Sequence, residues 1–236
     1  MIYTIKSILR VWYLFIPYWC LSQKGMVLIM KKDSCELVFI LDKSGSMSGL
    51  ESDAIGGFNA NIEAHKKEKG EVRVTTVLFS SEYELLHDRI DIQAIKPMTE
   101  AQYQVGGMTA LLDAVGETIH KIRNVQNQSP EEFKAEKVIF IIITDGEENS
   151  SREYKQADIK KLITHQQEKH GWSFLFLGAN IDAFAEAQSL GIHADHALNF
   201  ASSSAGVAHA YESASLSSMG LRRGKKVKMA EPPKSD

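Results

Sequence analysis

Residues 36–49 read ELVFILDKSGSMSG, and residues 138–149 read VIFIIITDGEEN. Each is a short, nearly unbroken apolar run that stops at an aspartate, Asp42 in the first and Asp145 in the second. An apolar run without polar alternation is the signature of a strand buried on both faces, as in a parallel sheet covered by helices. Working outward, residues 172–177 (WSFLFL) form another such run ending before Gly178, and residues 72–79 (VRVTTVLF) form a further strand. Residues 82–88 (EYELLHD) are expected to pair with that strand as an antiparallel edge. Between the strands, apolar residues recur at three- and four-residue spacing, the mark of one helix face: Ile55, Phe58 and Ile62; Leu112, Val115, Ile119 and Ile122; Ile159, Leu162 and Ile163. A short helix over residues 183–190 is closed by Gly191. Strands alternating with helices predict an α/β, doubly wound (Rossmann-like), mostly parallel sheet with helices on both faces.

The chain has 236 residues, enough for one such domain with extra segments. A net charge of −3 gives no electrostatic argument for nucleic acid. Two cysteines, Cys20 and Cys35, form no disulfide framework and no zinc cluster. They fit a reducing, cytoplasmic setting. The N-terminus is read apart, as an apolar extension over residues 1–30. Residues 11–21 (VWYLFIPYWCL) follow Lys6 and Arg10, in the manner of a signal sequence, but the run is short, contains Pro17 and lacks a small-residue cleavage site. Three readings stay open: translation from Met26 or Met30, a membrane or export segment involving residues 8–21, or an extra packed helix. Membrane contact is expected only if that segment is retained. At the other end, residues 202–221 are read as a final helix, and residues 222–236, with their cluster of Arg222, Arg223, Lys225, Lys226 and Lys228, as a basic disordered tail. The main domain is placed at residues 31–201.

Doubly wound sheets bind ligands at the carboxyl ends of their strands. The first strand ends there in Asp42, followed by Ser44, Gly45 and Ser46; the central one ends in Thr144 and Asp145; a glycine-rich loop, Gly106-Gly107-Met108-Thr109, leads into the helix of Leu112. Two carboxylates and three hydroxyls, all oxygen donors, suit a hard cation such as Mg²⁺, with Mn²⁺ as the alternative. Asp42 and Asp145 bind it directly or through water. An inner shell of mostly neutral hydroxyls leaves the metal much of its charge, so an external carboxylate can complete its coordination. The local alternatives are weaker. Ser48 and Glu51 make a capping box that leaves Ser44 and Ser46 free for other work, Thr109 is a candidate helix cap, and Asp145-Gly146 a candidate hairpin turn. Asp113 is placed near the site or on the surface; Glu147 and Glu148 at the rim or in solvent; Asn180 and Asp182 at a further strand end. His193 and His196 have no third ligand nearby in sequence.

The DKSGSMSG segment, the threonine of GGMTALLDA and the aspartate of ITDGEEN resemble the three segments of the metal-ion-dependent adhesion site of von Willebrand factor A domains, over roughly residues 34–200. The likeness extends to small stand-alone bacterial or phage members. The resemblance implies six strands in the order 3-2-1-4-5-6 with an antiparallel edge. It implies Ser44 and Ser46 as direct ligands, Thr109 as a direct ligand in the partner-bound form, and Asp42 and Asp145 acting largely through water. It implies a non-enzymatic module that grips an Asp or Glu carboxylate of a partner protein, and a last helix, residues 202–218 here, that shifts on binding. No nucleophile elbow, HExxH or P-loop is present. A metal-assisted phosphoester hydrolase and a scaffold with an unused site are the alternatives.

Overall fold

The computed structural model describes residues 33–179 and 181–229. The N-terminal extension, Cys20, Asn180 and residues 230–236 lie outside them. Nine-residue β1 (Ser34–Asp42) and β4 (Lys137–Thr144) lie side by side at the centre of the sheet. Their apolar runs split by parity. Leu37, Phe39 and Leu41 of β1 join Ile139, Ile141 and Ile143 of β4 in one core layer, and Val38 and Ile40 join Val138, Phe140 and Ile142 in the other. The strands therefore need no polar face, because both faces are covered.

With β2 (Glu71–Phe79), β3 (Tyr83–Asp91), β5 (Ser173–Ala179) and β6 (Ala197–Phe200), the six strands run in the order β3-β2-β1-β4-β5-β6. All neighbours are parallel except β2 and β3. Irregular register between Val74 and Val77 marks that antiparallel edge, and β3 continues to Asp91, beyond the stretch expected from sequence. Four-residue β6 (ALNF) was too short to show a pattern of its own.

Helices α1 (Glu51–Lys66) and α5 (Ser204–Arg222) cover one face; α2 (Leu111–Gln128), α3 (Gln156–His170) and α4 (Ala183–Ser189) cover the other. The periodic residues Ile55, Phe58 and Ile62, and Val115, Ile119 and Ile122, are the buried ones. Gly171 ends α3 in the left-handed conformation, φ 65°. Along α5, Val207, Ala210, Tyr211 and Ala214 join the core, and Gly57 of α1 has no side chain where Tyr211 packs. The end of the described chain differs from a solvated tail: Met229 is buried, and its backbone N–H donates to the Asp195 carbonyl at 2.8 Å. Among the described residues no helix is long and apolar enough to cross a membrane.

Candidate metal centre

The order of the sheet reverses between β1 and β4, since β1 is followed by β2 on one side and β4 by β5 on the other. Such a switch point opens a crevice at the strand ends, because the two connections leave in opposite directions. Asp42 is the last residue of β1 and Thr144 the last of β4. The Thr144 hydroxyl donates to Asp42 Oδ2 at 2.6 Å, and the Ser44 backbone N–H donates to Oδ1 at 2.7 Å. Asp42 is thus held on both carboxylate oxygens.

The Ser44 and Ser46 hydroxyl oxygens lie 3.0 Å apart, and Ser46 Oγ donates to Asp145 Oδ1 at 2.6 Å. Thr109 reaches the same place: a Cβ built on Gly146 would stand 3.2 Å from both Ser46 Oγ and Thr109 Oγ1. Glycine at 146 keeps that space open. All five residues singled out from sequence therefore meet at one end of the sheet. Ser46 is exposed, while Asp42, Ser44, Thr109 and Asp145 are buried.

The loops that carry them are tied together. The Gly45 N–H donates to the Gly107 carbonyl at 3.1 Å, and the Gly106 N–H to the Lys43 carbonyl at 2.9 Å. Gly107 has φ +81°, and any Cβ there would press on Ser81 Oγ, so the close approach requires glycine. Thr109 N–H donates to Asn149 Oδ1 at 2.9 Å, and Asn149 N–H returns to the Thr109 carbonyl at 3.0 Å. Helix α2 begins after Ala110, so Thr109 does not cap it by its side chain.

Sequence reasoning missed several supports. Tyr103, buried in a loop, donates its hydroxyl to the Asp42 carbonyl. Glu148 accepts from the Leu112 N–H at 2.9 Å and from the Ser151 N–H at 2.7 Å. Asp113 accepts from the Arg152, Glu153 and Tyr154 N–H groups. These carboxylates fasten the loop after β4 to the first turn of α2. Their partners are backbone groups, which leave no trace in residue type. The expected Ser48 capping box does not form: Leu50 occupies the cap of α1, and Glu51 reaches back to the Gly49 N–H. Asp182 caps α4 and lines, with Glu147, Glu148 and Glu186, a cavity of about 420 Å³. His193 accepts from the Asp195 N–H. Among the described residues no group of three or more His, Cys, Asp or Glu side chains is placed for a metal.

Burial pushes the Asp42 carboxyl above its ordinary range, against the hydrogen bonds from Ser44 and Thr144, and the neighbouring Asp145 charge adds to the rise. Burial likewise raises Asp145, against the Ser46 hydrogen bond. Neither carboxylate has an ion-pair partner among the described residues, and Asp145 Oδ2 is buried with no hydrogen bond. Lys43, the nearest cation in sequence, is turned to Glu84 at 2.5 Å. Two buried anions, three hydroxyls and an unpartnered carboxylate oxygen make a set that fits a divalent, oxygen-seeking cation.

The model of the von Willebrand factor type A domain family matches residues 36–221, and the chain belongs to that family. No curated protein sequence matches it. Among solved structures it is similar to a von Willebrand factor type A protein from Catenulispora acidiphila (17% identity, 79% of this chain and 43% of that one, TM-score 0.55). It is also similar to the D319A mutant of the PilB minor pilin from Streptococcus sanguinis (11% identity, 81% and 62%, TM-score 0.54). A third neighbour is mussel byssus proximal thread matrix protein 1 with a zinc-occupied MIDAS motif (15% identity, 77% and 45%, TM-score 0.51). The chain spans less than two thirds of each of these proteins.

Proposed function

We propose that this chain is a metal-dependent protein-binding module. Asp42, Ser44, Ser46, Thr109 and Asp145 hold one divalent cation, Mg²⁺ or alternatively Mn²⁺, and the cation takes an Asp or Glu carboxylate of a partner protein. The observation that supports this reading is the meeting of three hydroxyls with two buried carboxylates, unpaired with any cation among the described residues, at the switch point of the sheet. Ser44, Ser46 and Thr109 supply neutral oxygens; Asp42 and Asp145 supply charge and orient the hydroxyls. A bound cation with few anionic ligands supplies strong attraction for an external carboxylate. A neighbour with a zinc-occupied MIDAS motif agrees with a metal at this place in the fold.

We also propose a reducing, cytoplasmic setting, in keeping with the buried free thiol of Cys35, whose pKa burial pushes up to about 12. The test of the function is calorimetric titration of Mg²⁺, Mn²⁺ and Zn²⁺ into the chain, beside Asp42→Ala. Saturable binding that the substitution abolishes supports the module. Wild-type protein that binds none of the three, alone or with an acidic peptide, overturns it. Turnover of a generic phosphoester, lost in Asp145→Asn, would favour the hydrolase instead.

A further inference from the structure

Five large apolar side chains stand exposed among the described residues: Leu85, Ile90, Met108, Phe133 and Leu216. Leu85 and Ile90 lie on the edge strand β3, Phe133 on the loop before β4, and Leu216 on α5. Met108 differs from them by its place. It is 53% exposed and directly precedes Thr109, whose hydroxyl is one of those facing Gly146. The other exposed side chains on these loops, Ser46, Ser48, Glu147 and Asn149, are all polar or charged.

A single exposed apolar residue ordinarily needs no explanation. Here its position is held by its surroundings. The Met108 N–H donates to Ser81 Oγ at 2.8 Å, and the Ala110 N–H donates to the Ser80 carbonyl at 2.9 Å. Gly107 and Thr109, on either side, are tied to Gly45 and Asn149. The backbone is anchored on both sides while the Met108 side chain stays exposed, one residue before Thr109. Methionine is unbranched and polarizable, so it adapts to apolar partners of different shape.

We infer that Met108 sets the specificity of the site. The partner's metal-seeking acidic residue carries a large apolar neighbour, and that neighbour packs on Met108. The inference rests on the proposed metal–carboxylate reading and adds the chemistry of the adjoining residue. Because methionine adapts, Leu, Met, Ile and Phe in the partner serve about equally, and Ala, Ser or a charged residue does not.

The test uses fluorescent synthetic peptides with one central Glu, flanked on one side or the other by Leu, Phe, Ala or Lys, titrated in Mg²⁺ with wild type, Met108→Ser and Met108→Leu. Wild type is expected to bind the Leu- and Phe-flanked peptides about tenfold more tightly than the Ala-flanked one, the scale set by burying part of a large apolar side chain. Met108→Ser loses that preference while binding the Ala-flanked peptide as wild type does; Met108→Leu keeps it. Equal binding of all flanks by wild type, or a preference that survives Met108→Ser, overturns the inference and leaves the metal–carboxylate reading standing. If no acidic peptide binds in Mg²⁺ or in Mn²⁺, both fall.

Discussion

The Ser46 hydroxyl donates a 2.6 Å hydrogen bond to Asp145 Oδ1 across 99 positions of sequence. It joins the loop after β1 to the loop after β4, and it leaves the second Asp145 oxygen buried without a hydrogen-bond partner among the described residues. Ser46→Ala removes both a metal-facing hydroxyl and this brace. Affinity for Mg²⁺ is expected to fall by at least about tenfold. Calorimetry on a variant whose thermal midpoint matches wild type separates this from unfolding.

Thr144 bonds Asp42 Oδ2 and faces the Gly146 backbone, so it positions a carboxylate and touches no partner itself. Thr144→Val keeps the strand-forming shape and removes the hydroxyl. Metal affinity is expected to drop by about 10- to 100-fold, the usual cost of losing a group that orients a ligand. Thr144→Ser, which restores a hydroxyl, is expected to recover most of it; equal affinity in all three proteins would count against the assignment.

Two carboxylates buried close together without a cation are unfavourable to the metal-free fold. Asp145→Asn is therefore expected to leave the metal-free thermal midpoint at or above that of wild type, and to abolish the rise that saturating Mg²⁺ produces in wild type. Binding of ligand to the native state alone stabilises by mass action, about 2.7 kcal/mol at a hundredfold excess over Kd. A variant that still rises with Mg²⁺ would remove Asp145 from the site.

At the opposite end of the domain, His65 is fully buried between α1 and α5. Its Nε2 lies 2.8 Å from Ser218 Oγ, and its Nδ1 lies 2.8 Å from an Arg222 guanidinium nitrogen. Burial, with the Arg222 charge, lowers its pKa to about 3. The neutral ring is the folded form, and the unfolded chain, titrating near 6.5, binds the extra proton. Stability from this residue is therefore full above about pH 6.5 and is lost as pH falls towards 3, by roughly 1.4 kcal/mol for each pH unit at most. Denaturant midpoints between pH 7 and 5 should fall in wild type and fall less in His65→Gln.

The order of the elements, and the five residues that meet at the strand ends, were legible in the sequence because both leave local traces. Apolar runs and helical spacing record which faces are covered, and DKSGSMSG and ITDGEEN put oxygen donors directly after strand ends. What supports the site was not legible. Tyr103, Asn149 and Glu148 act on backbone groups or on residues far away in sequence, and no local pattern distinguishes them from ordinary loop residues. The same limit misplaced the start of α1, where Ser48 had the right sequence to cap but Leu50 took the position.

The sequence by itself determined that a doubly wound sheet would form and that oxygen donors would stand at its carboxyl edge, because strand burial and loop chemistry are written residue by residue. The resemblance implied that β1 and β4 would be neighbours where the sheet changes direction; only the tertiary structure decided which side chains meet there. That pairing brings Ser46 to Asp145 and Thr144 to Asp42, and it leaves two buried carboxylates with no ion-pair partner among the described residues. The physical reason is that a charge balance between residues a hundred positions apart depends on strand order, and strand order is settled by the packing of the whole sheet rather than by any one segment.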